Sequence, residues 1–314
     1  MNKKLSKLLY TLSENSRITS KLLSKKLLSS QQTASYMVNQ AKKKKLIQKF
    51  NAIVDPIKLG FTNIIVGINY LEFNHKIQRE IINELKETDS IIGIQETSGG
   101  IDLLVEYCVY NLSAFNKTHS EIFHKFHRSA ETKFIYPVVV KHKYEKSYLT
   151  RKANEKDIVL CGDRETRTLN KNELSVLREL VREPEITFTK LSNKTKLSTK
   201  TIVNIKKRLE KQRIIRGYDC LFNHKKLGIN KQIIFLKLGD PGINTMNALE
   251  TYCSMNRNIV EFIKVIGFYE VIIIAESKEK INLINGLRAM FPISNYLVTD
   301  VENTIKESYV PENL

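Results

Sequence analysis

At 314 residues with 42% apolar side chains, the chain has material for roughly two to four packed domains, and wholesale disorder is excluded. Its longest apolar runs, such as residues 271–275, are strand-sized and far short of the roughly 20 residues that cross a bilayer. A net charge of +18 favours a polyanionic partner. The start Met1-Asn2-Lys3-Lys4 leads into alternating Leu, Ser and Lys without an apolar signal core. Four cysteines, Cys108, Cys161, Cys220 and Cys253, are scattered without paired spacing, unlike a disulfide framework or a zinc site. The expectation is a soluble cytoplasmic protein with no membrane contact, no metal and no cofactor.

In chain order, Leu5, Leu8, Leu9 and Leu12 recur at helical spacing. After the break at residues 13–16, Leu22, Leu23, Leu27 and Leu28 mark a short second helix. Ser30 is a good N-cap for a third, which carries Ala34, Met37, Val38 and Ala41 inward. The extended stretch 46–50 then reads as a β-wing, completing a helix-turn-helix pattern. From residue 63 the signal changes to strand 63–70, helix 75–88, strands 91–96 and 103–109 around Gly99-Gly100, a helix from Leu112 to Phe126, and strand 134–140. That order is β-α-β-β-α-β, the ferredoxin-like arrangement.

Residues 150–168 are polar around one strand-like patch, 158–161, and read as a linker. The pattern then returns. Leu174, Val176, Leu177, Leu180 and Val181 form a helix, a short one follows near Leu191, and Ser198 caps a third bearing Ile202, Ile205 and Leu209. Residues 214–218 repeat the wing. Strand 232–238, a helix around 246–253, strands 259–266 and 271–276, helix 278–290 and strand 295–302 repeat the α/β part. One offset of 168 residues aligns Leu9 with Leu177, Ile18 with Ile186, Ser30 with Ser198, Gly60 with Gly228 and Gly99 with Gly267. The chain is two diverged copies of one unit: heads at 1–60 and 169–228, α/β parts at 61–149 and 229–314.

The positive charge follows that division. Residues 1–60 hold 13 Lys and Arg against 2 Asp and Glu, and residues 169–228 hold 15 against 6. The α/β parts are balanced or slightly acidic, at 15 against 15 for 61–168 and 8 against 10 for 229–314. Lys and Arg on phosphates supply most non-specific DNA affinity, so double-stranded DNA is the expected partner. Base edges are read by the early turns of a recognition helix. In the first copy those places hold Gln31, Gln32, Ser35, Tyr36 and Asn39, with Lys42 and Lys43 beyond them for phosphate. In the second they hold Thr199, Lys200, Val203, Asn204 and Lys207, with Arg208 and Lys211 beyond. The two sets differ, which predicts two non-identical half-sites.

The doubled unit resembles the Lrp/AsnC family, the leucine-responsive or feast/famine regulators. Their members join a winged helix-turn-helix to a ferredoxin-like domain called RAM (regulation of amino acid metabolism). The resemblance rests on the opening helix, residues 15–19, the Ser30 and Ser198 caps, the Leu-Gly after each wing, and a Gly-x-x-Asp turn. That turn stands here as Gly99-Gly100-Ile101-Asp102 and Gly267-Phe268-Tyr269-Glu270. Lys45 and Arg213 stand where the family has a helix-ending glycine, and Glu270 replaces the usual Asp. The resemblance implies an α+β fold of two winged helix-turn-helix and two RAM domains in tandem. It also implies RAM-mediated pairing, and a small effector such as an amino acid near Gly99, Asp102, Gly267 and Glu270. The two RAM copies are free to pair with each other as a pseudo-dimer or between chains as a homodimer.

Siroheme decarboxylases resemble the same architecture, and a non-specific DNA compactor would use the same basic faces. A decarboxylase has no reason to concentrate charge on recognition helices, and His119, His124 and His127 read as surface residues of one helix. No nucleophile–base constellation or phosphate-cradling loop is present. The expectation is therefore a sequence-specific transcription regulator and not an enzyme, with no catalytic residues.

Overall fold

The computed structural model describes residues 2–150, 154 and 156–314; the remainder of the 150–168 linker, and Met1, lie outside the described residues. The first head is α1 (Lys3–Glu14), α2 (Ser20–Leu27) and α3 (Gln31–Lys43). Each helix starts where a short polar side chain satisfies an orphan N–H: Asn2 accepts from Leu5, Thr19 from Leu22 and Ser30 from Thr33. Leu8, Leu9, Leu12, Leu23, Ala34 and Ala41 meet in its core. Leu28, expected on the second helix, instead ends it in the left-handed region and is 86% exposed.

Strand β1 (Ile47–Val54) leads to β2 (Thr62–Tyr70), α4 (His75–Glu87), β3 (Ile91–Ser98), β4 (Leu103–Val109), α5 (Leu112–Phe126) and β5 (Ala130–Tyr144). The linker contributes β6 (Asp157–Cys161), which pairs along the end of β5. The second head is α6 (Lys171–Arg182), α7 (Phe188–Thr195) and α8 (Thr199–Lys211), with Asn170, Thr187 and Ser198 as caps. Then come β7 (Ile215–Phe222), the single turn α9 (His224–Leu227), β8 (Asn230–Leu238), α10 (Ile243–Met255), β9 (Ile259–Val265), β10 (Val271–Ser277), α11 (Leu283–Met290) and β11 (Ile293–Glu307). The βαββαβ order is present twice. Helix α11 starts five residues later than its periodicity suggests, and β5 and β11 run well beyond both ends of their apolar stretches.

The extra length of β5 and β11 joins the copies. Strand β5 pairs with β2 of its own copy through residues 130–137, then with β9 of the other through 138–143. Strand β11 pairs with β8 through 293–300 and crosses to β3 through 300–307. The result is a closed ring, β2-β4-β3-β11-β8-β10-β9-β5 and back to β2. Closure satisfies the N–H and C=O groups that two separate sheets would leave on their edges.

The helices cover the ring from outside. Leu85, Ile81, Phe115 and Ile122 of α4 and α5 pack on one sheet, and Leu249, Cys253 and Leu287 of α10 and α11 on the other. The inner faces meet around Ile65, Leu104, Ile233, Ile263 and Ile272.

The stretches read as wings pair with each other, β1 against β7. Phe50 opposes Cys220, Asn51 opposes Asp219 and Ala52 opposes Tyr218. Under the 168-residue offset this register is its own mirror image, so a pseudo-twofold axis passes between Asn51 and Asp219. The two α/β parts thus pair within one chain.

Candidate nucleic-acid interface

Helix α3 runs into β1 and α8 into β7 through tight left-handed turns. Lys45 (φ 54°) and Arg213 (φ 58°) occupy the positive-φ place, and Leu46 N–H and Ile214 N–H donate back to the Ala41 and Leu209 carbonyls. Ile47 lies opposite Phe222 and Ile215 opposite Val54, so the helix ends sit at opposite ends of one ribbon. At the rise of a strand these ends are about 23 Å apart. The heads are also locked together. The Arg17 guanidinium donates to the Pro184 and Ile186 carbonyls and lies over the Phe188 and Tyr218 rings.

The inward faces of both third helices are filled by Ala34 and Ala41, and by Ile202, Ile205 and Leu209. Their outward faces hold the expected readers. Gln31, Gln32, Tyr36, Asn39 and Lys43 are exposed on α3, and Ser35 is half-buried. Thr199, Lys200, Asn204, Lys207 and Lys211 are exposed on α8, with Val203 half-buried. Among the described residues Lys43, Lys200, Lys207 and Lys211 take part in no ion pair, so their charge is available to phosphate. Two expected contacts are already engaged. Lys42 holds both oxygens of Glu185 at 2.7 Å and Arg208 holds Glu173 at 2.7 Å.

The Gly-x-x-acid turns sit at the seams of the ring. Asp102 Oδ2 accepts from the Tyr70 N–H at 2.8 Å, and Glu270 Oε2 from the Leu238 N–H at 3.0 Å. Each carboxylate thereby caps the end of the neighbouring strand. The glycines do admit a close approach, but by the other copy. A Cβ on Gly267 would lie 2.1 Å from the Tyr136 ring, and one on Gly99, at φ +100°, 3.1 Å from the Val298 carbonyl.

His119 corrects the reading of three surface histidines. It is buried against Phe115 and Phe123, within reach of the Tyr107 hydroxyl at 3.3 Å and Thr132 at 3.0 Å, and burial pulls its pKa down to about 4. Among the described residues no three His, Cys, Asp or Glu side chains converge as a metal site. No helix among them is long and apolar enough to cross a membrane.

Sequence reasoning missed a polar cluster inside the ring. A cavity of about 50 Å³ lies between the sheets, lined by Lys141, Lys143, Lys146, Lys231, Glu106, Glu261, Glu276 and Glu307. Lys141 pairs with Glu106 at 2.7 Å, Lys146 with Glu276 at 2.6 Å and Lys143 with Asp219 at 3.0 Å. His224 reaches Glu276 at 3.0 Å, and burial lowers its pKa against the pull of that carboxylate. The period-2 spacing of Lys141 and Lys143 was the available signal, but alternation reads naturally as a solvent-facing side.

No known family profile matches the chain. In sequence it is 29% identical over 139 residues to an uncharacterized HTH-type transcriptional regulator of Pyrococcus furiosus, covering 44% of this chain and 88% of the relative. In structure it matches the siroheme decarboxylase NirDL over 99% of this chain and 96% of that one, at a TM-score of 0.62 and 11% identity. The same enzyme with an iron-uroporphyrin III analogue gives 0.61 and 10%. The full-length match to an enzyme corrects the expectation drawn from charge placement: one architecture serves both chemistries, and basic heads do not exclude catalysis. What the sequence implied about fold stands: the chain is a tandem of two units, each a helical head followed by a βαββαβ part, closed on itself.

Proposed function

We propose that the chain is a transcription regulator that binds double-stranded DNA through α3 and α8 and reads two non-identical half-sites. The observation that carries this reading is the confinement of excess positive charge to the two heads, with Lys43, Lys200, Lys207 and Lys211 exposed on the reading helices and in no ion pair among the described residues. The regulator-named relative supports it. Tyr36 and Asn204 occupy equivalent places on the two helices, 168 residues apart, and are assigned to base edges. A small effector such as an amino acid belongs to this reading through the family resemblance. It would have to reach Asp102 and Glu270 while each caps a strand end.

The full-length fold match favours a second reading, an enzyme acting on a tetrapyrrole substrate. The interior cavity of about 50 Å³ has room for a few waters, so that reading places the substrate in a surface cleft or requires the sheets to open.

Titration of the protein against its own upstream duplex and a scrambled one, at two salt concentrations, decides between them. The regulator shows a specificity ratio of about a thousand or more and a steep salt dependence on both duplexes. Tyr36→Ala and Asn204→Ala each weaken the specific duplex by about 1–3 kcal/mol and leave the scrambled one nearly unchanged. Equal affinity for both duplexes would leave an architectural DNA-binding protein. No binding to either, with a visible-band shift on adding iron-uroporphyrin, would favour the tetrapyrrole reading.

A further inference from the structure

Among the described residues, the ion pairs that join the two copies all run in one direction. Lys42 meets Glu185 at 2.7 Å and Lys49 meets Glu312 at 2.7 Å on the outside. Lys143 meets Asp219 at 3.0 Å and Glu261 at 3.7 Å, and Lys146 meets Glu276 at 2.6 Å, on the inside. His142 approaches Glu250 at 3.5 Å. In every lysine pair the cation belongs to copy one and the carboxylate to copy two, and the His142–Glu250 contact runs the same way.

The lining of the central cavity divides the same way. Copy one supplies Lys141, Lys143 and Lys146 against a single Glu106. Copy two supplies Glu261, Glu276 and Glu307 against a single Lys231. Equivalent places carry opposite signs. Lys143 opposes Glu261 in the β5–β9 pairing and Glu307 opposes Gly93 in the β11–β3 pairing, and positions 93 and 261 are 168 residues apart. By the same offset Arg17 corresponds to Glu185, and Lys42 to Glu210.

We propose that the two copies are a charge-matched pair, in which copy one is the cationic partner and copy two the anionic partner, so that each accepts the other and rejects its own kind. The chemistry of a like-with-like assembly shows why. Two copies of the first half would set Lys42 against Arg17 and enclose a surplus of lysines. Two copies of the second would set Glu210 against Glu185 and enclose a surplus of glutamates. Repulsion between like charges grows as water is excluded, so the buried set discriminates more strongly than the rim. Although burial works against both charges, the partners hold the Lys143 ammonium well above and the Glu276 carboxyl well below their ordinary ranges. Matched pairing fixes which head stands on which side of the pseudo-twofold axis. It does so whether the heads read DNA or frame an active site.

The test uses the full chain. Lys143→Met removes a cross-copy cation; Lys143→Glu gives copy one the residue that copy two carries at the equivalent place. Rejection of like by like predicts that the glutamate variant has a clearly lower urea midpoint than the methionine variant. Equal losses would mean that only a pair was lost, and would overturn the proposal. If the buried variants do not fold, the rim answers the same question. Lys42→Glu with Lys49→Glu, and separately Glu185→Lys with Glu312→Lys, should each lower the melting temperature by about 3–6 °C. Combining all four reverses the polarity without changing the match, and should return the midpoint to within about 2 °C of the parent. A combined variant that loses the sum of the two would sink the idea.

Discussion

In the first head the outward face of the third helix shows Gln31, Gln32, Tyr36 and Asn39; at the equivalent places the second shows Thr199, Lys200, Asn204 and Lys207. Inside, Ala34 and Ala41 of the first head answer to Ile202 and Leu209 of the second, all buried. The caps, by contrast, are unchanged: Ser30 and Ser198 each accept from the backbone three residues on, at 3.1 Å. Groups that set the backbone's course have been kept while both the core volume and the reading surface moved. A duplication inside one chain permits this, because neither head has to remain a partner for itself.

The largest expected effect tests the core side of that comparison. Leu209 is fully buried among Ile202, Ile205 and Leu177, and Leu209→Ala makes the second head match the first at this place. The cost should be about 2–5 kcal/mol in urea unfolding, because the surrounding leucines and isoleucines cannot collapse into the space. A loss below about 1 kcal/mol would show that the second head is as loosely filled here as Ala41 leaves the first.

A smaller effect comes from the ends of the two opening helices, where Glu14 of the first head answers to Arg182 of the second. Burial, and then the neighbouring Glu145 carboxyl, raise the Glu14 pKa from 4.5 to about 7. The folded state therefore holds this proton more tightly than the unfolded chain does. Stability from this group is full below about pH 4.5 and is lost as the pH rises toward 7. Glu14→Gln should leave the melting temperature nearly unchanged at about pH 4 and raise it by about 2–5 °C at pH 8. Arg182→Gln should shift the curve without changing its shape. Parallel profiles for parent and Glu14→Gln would take the proton off this pair.

Much of this was readable in advance, for a physical reason. Helix spacing, caps and the βαββαβ order are local, and local groups write them: Leu5, Leu8, Leu9 and Leu12 give a period, and Ser30 a start. Which strand lies beside which is not local. Nothing in residues 130–144 distinguishes the half of β5 that pairs with β2 from the half that pairs with β9. The stretches at 46–50 and 214–218 were legible as extended but not as each other's partners. The interior charges escaped for a related reason. The net counts of the α/β parts average lysines of one copy with glutamates of its own surface, hiding the division that closure creates. Opposite charges at Arg17 and Glu185, or at Lys42 and Glu210, were visible in the alignment of the copies, and only the fold gives them a meaning.

The smallest expected effect separates folding from recognition at the end of the third helices, one of two places where both heads put a side chain in the left-handed region, the other being Leu28 and Lys196. Lys45 and Arg213 hold φ of 54° and 58°, a region where a side chain costs energy and glycine does not. Neither takes part in an ion pair among the described residues, and both are exposed, so the turn uses their backbone and no contact of their side-chain charge repays the strain. Replacing either with glycine should raise stability by about 0.5–1 kcal/mol, the relief of the left-handed conformation less the added freedom of the unfolded chain. If these cations are kept for phosphate, the same variants should bind all duplexes more weakly and lower the salt slope by about one contact each. Lys45→Gly and Arg213→Gly measured side by side then report how the heads share the backbone of the duplex. Equal losses mean symmetric seating, and a loss at only one means that the charge-matched pair also sits on DNA unequally.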